Sequence, residues 1–279
     1  MKKVFYLFSI VFLFSSCSEY QKVLKQKDIK PKFDLANQFY EEGLKEDKNS
    51  KLTKAIKLYE QILPTLQGKP QAQIILYNIA NAYYNVEDYL ISGFKFERFA
   101  KAYPTSQKVE EALFKSSDSY YQSSPNYSLD QTETLKAIDK LQVYIDQFPD
   151  GVYFVQANEK LQELRLKVER KYYEIAKQYH FTYRYKAAIS DFDNYLVNYP
   201  GSAYKEKVYF YKFESEYLLA INSFAYLVED RLQDANTYYQ DYVERYPEGE
   251  FIDLANSYAE DIEKRLANME ETTTEQQEQ

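Results

Sequence analysis

Along almost the whole chain the apolar residues recur with the period of an α-helix, and one arrangement returns five times. A small residue (Ala55, Ser92, Ala137, Ala188, Ala235) is followed four positions on by Tyr59, Phe96, Leu141, Phe192 or Tyr239. Three further on come Ile62, Phe99, Tyr144, Tyr195 or Tyr242, and four beyond those Leu66, Tyr103, Phe148, Tyr199 or Tyr246. These steps keep every member on one face of a helix. Pro104, Pro149, Pro200 and Pro247 follow directly in four copies, where the missing N–H and fixed φ stop the helix. The first copy has Gln67-Gly68 at that point and Pro64 inside the pattern, which predicts a helix that kinks or ends early.

A second stripe precedes each copy. Its members are Ala36 and Phe39; Leu76, Ile79, Ala80 and Tyr83; Leu113, Ser117 and Tyr120; Tyr172, Ile175, Ala176 and Tyr179; and Phe210, Phe213 and Tyr217. Small residue, Tyr, Ala, Phe and Pro at these spacings follow the tetratricopeptide (TPR) helix-pair template. One such pair cannot bury its own stripe, so copies must stack. The small residues stand 37, 45, 51 and 47 positions apart, longer than the usual period of about 34. The excess falls around Glu46–Ser50, in Ser123–Thr134, in Gln156–Arg170 and in Ile221–Leu232. The expected fold is all-α: an α-solenoid of five TPR-like helix pairs over residues 32–250, plus a C-terminal capping helix over 251–269. Residues 270–279, EETTTEQQEQ, carry no apolar side chain and read as a disordered acidic tail.

Composition narrows the function. Only 6 Gly and 8 Pro punctuate 279 residues, too few for a sandwich or barrel. The net charge of −8 lacks the basic field that phosphate backbones require, so no nucleic-acid partner is expected. A single Cys excludes an internal disulfide framework and a Cys-based zinc site. His180, the only His, cannot alone build a metal cluster or a triad; it reads as a groove-lining or surface residue. The pairs Glu41-Glu42 and Glu110-Glu111 diverge on their helices, and there is no Gly-rich phosphate loop. No catalytic residue, metal or cofactor is expected, and the chain reads as a non-enzyme.

The first residues, MKKVFYLFSIVFLFSSC, give a basic start, an apolar core from Val4 to Phe14 and small residues before Cys17. This is the form of an export signal, too short to span a membrane, with the lone Cys where lipidation would occur. Residues 1–16 are therefore expected as a lipoprotein signal peptide, Cys17 as the lipidation site and 17–31 as a tether. The other reading is ordinary secretion with Cys17 as a free thiol. Removing 1–16 takes away two lysines and no acid, so acyl chains rather than charge would hold the chain to the membrane.

TPR geometry turns some first-helix residues into a groove. Phe33, Tyr40, Tyr77, Tyr84, Phe114 and Tyr121, with Asn37, Asn81 and Asp118 between them, offer rings beside amides and suit an extended peptide. The alternative is that these rings pack on the next repeat. In the fourth copy Arg170, Lys177 and Arg184 form a cationic patch suited to an acidic partner, or simply a solvated face.

The lipid signal, the CSEYQKVLK start, five TPR-like repeats, the helix ends at Tyr103–Ser106 and Tyr199–Ser202, and the SPNYSLDQT insert after Tyr121 together resemble one family. It is the BamD (ComL) family, the TPR lipoproteins of the outer-membrane β-barrel assembly complex, here in a Bacteroidetes-like form. The resemblance implies an outer-membrane, periplasm-facing adaptor. It also implies two partners: a POTRA domain of BamA, bound through C-terminal repeats, and the C-terminal signal of unfolded outer-membrane β-barrel proteins, received by N-terminal repeats. The degenerate first repeat and the acidic tail depart from the pattern. An adaptor in another envelope or surface-glycan complex, or a peptidoglycan-processing enzyme, are the other readings.

Overall fold

The structure, a computed structural model, describes residues 19–277. The expected signal peptide and Cys17 lie outside the described residues. Among the described residues the chain is all-α, with no strand, and the fold class is the TPR-like one expected. A helical segment, α1, covers 19–25. It is followed by α2 (Ile29–Glu46), α3 (Asn49–Ile62), a 3-10 turn (Leu63–Leu66), α4 (Pro70–Asn85), α5 (Tyr89–Ala102), α6 (Val109–Gln122) and α7 (Thr132–Gln147). Then come α8 (Phe154–Phe181), α9 (Tyr185–Asn198), α10 (Lys205–Ile221), α11 (Ala225–Arg245) and α12 (Ile252–Gln277). No helix among the described residues is long and apolar enough to cross a membrane.

The local causes are those in the sequence. The α3 helix stops at Ile62 and tightens to 3-10 geometry at Pro64. The N–H groups of Tyr103, Phe148, Tyr199 and Tyr246 each close a last helical bond to the carbonyl four residues back, and Pro follows. The turns between paired helices pass through left-handed Asp47, Glu87 and Tyr183, a conformation that costs a non-Gly residue about 1–2 kcal/mol. The insert Gln156–Arg170 lengthens α8 to 28 residues.

The chain divides into two compact units, Met1–Leu164 and Arg165–Gln279. In the first, Ala55, Ser92 and Ala137 are fully buried, as are Tyr59, Phe96, Phe99 and Leu141 around them. In the second, Ala188 and Ala235 are fully buried with Phe192, Phe210 and Phe213. The small residues let helices approach while rings fill the adjoining space.

Both units use one clasp at a turn that follows a second helix. In unit 1, Glu110 of α6 accepts from the Tyr144 hydroxyl (3.1 Å) and the Val152 N–H (2.6 Å). Phe114 stacks on Tyr153 at 4.3 Å and 4°. In unit 2, Glu206 of α10 accepts from the Tyr242 hydroxyl (3.3 Å) and the Glu250 N–H, and Phe210 stacks on Phe251 at 4.4 Å and 12°. A Cβ on Gly151 would come within 2.6 Å of Glu110 Oε1, and one on Gly249 within 2.5 Å of Glu206 Oε1, so the clasp needs glycine there.

The chain ends differ from the simplest reading of their composition. The described part of the 17–31 segment is not a free tether. Its α1 docks, with Tyr20 buried against Phe39 at 6.0 Å and Val23 and Leu24 in the same cluster. The capping helix runs on from Met269 to Gln277, because Glu and Gln are good helix formers and adding residues to an existing helix is easier than nucleating one.

Candidate functional site

In unit 1 the expected groove face consists of first helices α2, α4 and α6 and the start of α8. Its polar residues meet one another across successive repeats. The Tyr40 hydroxyl accepts from the Asn81 amide at 2.7 Å, the Tyr84 hydroxyl donates to Asp118, and the Tyr121 hydroxyl donates to Glu163 at 2.6 Å. Asn37 accepts from Tyr59 at 2.6 Å. Lysines complete the row: Lys115 donates to Asn81 Oδ1 at 2.6 Å, and Lys160 pairs with Asp118 at 2.8 Å. Lys108, Lys115 and Lys160 stand 5.1, 5.6 and 4.0 Å from the ring centres of Tyr77, Tyr84 and Tyr121, within cation–π range.

The environment shows in the proton affinities. Burial, then the bond to Asp118, pushes the Tyr84 phenol above the usual range. Burial, then the bond to Glu163, pushes Tyr121 up to about 12. Burial holds the Lys115 ammonium below the ordinary lysine value despite Glu111 beside it. The face therefore carries neutral phenols alternating with lysines and carboxylates, which suits binding rather than proton transfer.

The nine expected groove residues divide. Tyr40, Asn81, Tyr84, Asp118 and Tyr121 belong to the inter-repeat row, and Asn37 to the first helix pair. Phe33 packs on the first core cluster. Phe114 is buried in the clasp and lines no open surface. Tyr77, edge-on to Phe96 and Phe99 at 5.7 and 5.5 Å, borders a cavity of about 320 Å³ with Gln73, Ile74, Asn78 and Lys108. Sequence reasoning missed Lys108, Lys115, Lys160 and Glu163. A cue for Lys115 was its place one turn from Glu111 and Asp118.

Unit 2 holds the other expected residues. Arg170 and Arg184 are exposed, and Lys177 is half-buried. The Lys177 ammonium lies 5.5 Å from the Tyr173 ring and 3.9 Å from Glu174. His180 corrects the surface expectation: it is buried. Its Nδ1 is hydrogen-bonded to the Ser215 hydroxyl at 2.9 Å, and its Nε2 stands 3.1 Å from Glu214, which also accepts from the Tyr258 hydroxyl at 2.9 Å. His180 holds the register position of Tyr40, Tyr84 and Tyr121, and Ser215 that of Asn81 and Asp118. It thus links α8 to α10 within the unit.

Comparison with known proteins agrees with this architecture. A protein of Aquifex aeolicus (strain VF5) named as an outer membrane protein assembly factor, BamD, is 28% identical over 192 residues. That alignment covers 66% of this chain and 60% of the relative. The profile of the YfiO family, described as outer membrane lipoprotein, matches residues 34–232, which include the polar row of unit 1 and His180, Glu214 and Ser215 of unit 2; the chain belongs to this family of outer membrane lipoproteins.

Proposed function

We propose that this chain is a lipid-anchored, non-enzymatic scaffold for outer-membrane protein assembly, attached through Cys17 and facing the periplasm. It holds unfolded outer-membrane β-barrel proteins by their C-terminal signal, on the Tyr- and Lys-rich face of α4 and α6 beside Tyr77 and Tyr84. Its exposed basic residues in unit 2, Arg170 and Arg184 with Lys177, contact an acidic surface of a BamA POTRA domain. The observation that carries this reading is the family match across residues 34–232, joined by likeness to a relative named as an assembly factor. Opposite charge and an aromatic, amide-rich face are the chemistry such partners need.

Depletion in the source cell tests it. Outer-membrane β-barrel proteins should fall in level and lose their heat-modifiable folded form. Retention of both at normal levels overturns the proposal. A charge-reversed Arg170→Glu/Arg184→Glu variant should no longer be retained by an immobilised POTRA fragment; full retention removes these residues from the partner surface.

A further inference from the structure

We propose that the cleft between α8 and α9 of unit 2 binds a neutral saccharide chain. The cleft has a volume of about 700 Å³, within the roughly 300–1,000 Å³ typical of ligand sites. Tyr172 and Ile175 form one wall and α9 the other, with Tyr195 and Tyr199 at their junction. Tyr172 is 49% exposed, and its ring lies 5.9 Å from that of Tyr199 with a 31° tilt.

Asp191, Asn194 and Asn198 follow the helical repeat of α9 and line the cleft together. Among the described residues none of these three side chains has a hydrogen bond or ion pair, and the Tyr172 and Tyr199 hydroxyls have no hydrogen-bond partner. One turn before Tyr172, a carboxylate oxygen of Glu169 is buried without a hydrogen-bond partner. Two copies of unit 1 treat the position of Asp191 differently. In the second and third copies the residue three after the small one is a lysine bound to the preceding second helix: Lys95 to Glu60 and Lys140 to Glu97, both at 3.2 Å. In α9 that lysine is replaced by the unpaired Asp191.

These groups select a ligand class. No cation lines the cleft, so an anionic ligand would face the Asp191 carboxylate with no counter-charge beside it. Ile175 is the one aliphatic lining residue, too little for an amphipathic helix to bury its stripe. A carboxylate accepts only, whereas an amide both donates and accepts. A wall that both donates and accepts, with one carboxylate among the amides and phenols, fits an uncharged ligand dense in groups that do the same, and vicinal hydroxyls are such groups. The C–H face of a sugar ring meets the electron-rich face of Tyr172. An extended peptide offers one main-chain donor and one acceptor per residue, a sparser set of polar groups than the vicinal hydroxyls of a sugar ring.

The test uses the full chain in detergent micelles with soluble tetrasaccharides, one of β-1,4-linked N-acetylglucosamine and one of α-1,4-linked glucose, by calorimetry and saturation-transfer NMR. At least one should bind, and Tyr172→Ala and Asp191→Ala should each weaken it about tenfold, a change of about 1.4 kcal/mol. Phe181→Ala, an exposed ring elsewhere in unit 2, should leave it unchanged, with circular dichroism confirming that all variants fold. Three outcomes overturn the proposal: no binding of either probe at about 10 mM, which is weaker than about −3 kcal/mol; affinity indifferent to Tyr172→Ala; or cleft variants that abolish capture of an unstructured peptide instead. The depletion experiment bears only on the assembly role, so the two readings fail separately.

Discussion

The first-helix faces of the two units fill one register with different chemistry. In unit 1, Tyr40, Tyr84 and Tyr121 reach an amide or carboxylate of the next repeat. In unit 2 the same place holds His180, which meets Ser215 and Glu214 in a buried network. A phenol spans the gap and keeps lysines beside it; an imidazole closes it within a buried network. The contrast reverses at the α8–α9 cleft, where Asp191 of unit 2 is unpartnered while Lys95 and Lys140, at the same position in two copies of unit 1, are committed to ion pairs. A repeat therefore conserves its apolar spacing while its polar positions are free to become glue or site.

The largest test of equivalence between the units is in their cores. Phe96 and Phe192 occupy one register position and are both fully buried. Phe96→Ala and Phe192→Ala should each destabilise by about 3–5 kcal/mol in denaturant melts; a cost below about 1 kcal/mol at either would break the equivalence.

A smaller effect separates the polar rows. Asp118→Ala strands the Lys160 ammonium and the Tyr84 phenol, and His180→Ala strands Glu214. Each should cost about 1–3 kcal/mol. The Tyr84→Phe/Asp118→Asn double-mutant cycle should show coupling of about 0.5–3 kcal/mol, and additive behaviour would dissolve the row into independent contacts.

The smallest effect is a pH dependence the two units should share. Burial, then the bond to Glu110, pushes Tyr144 up to about 12. Burial, together with Glu206, pushes its clasp counterpart Tyr242 to about 12 as well. Their folded values lie above the unfolded value of 10.0, so the folded state holds these protons more tightly. That stability is complete below pH about 10 and lost as pH rises through about 12. Alkaline unfolding followed by tyrosinate absorbance should fall in that window, and Tyr144→Phe or Tyr242→Phe should make it less steep. Unfolding unaffected by either change would remove the clasps as its source.

The helical period, the five buried small residues and the Pro-terminated helices were legible because each depends on neighbours within one turn or two of the same helix. The 28-residue α8 was visible as an insertion of helical period. The polar row was not, since Tyr40 and Asn81 are 41 positions apart and Tyr121 and Glu163 are 42 apart. A pattern of spacing says which face a ring is on but not which side chain arrives opposite. For the same reason Phe114 and His180, read as groove or surface residues, are buried.

The sequence by itself determined an all-α chain of stacked pairs, because burying a periodic stripe leaves helices few other arrangements. Tertiary structure decided the rest: which tyrosines are spent on the next repeat, that α1 docks through Tyr20, and that Asp191, Asn194 and Asn198 converge on one cleft. Those outcomes depend on the distance and direction between helices far apart in the chain, which only packing fixes.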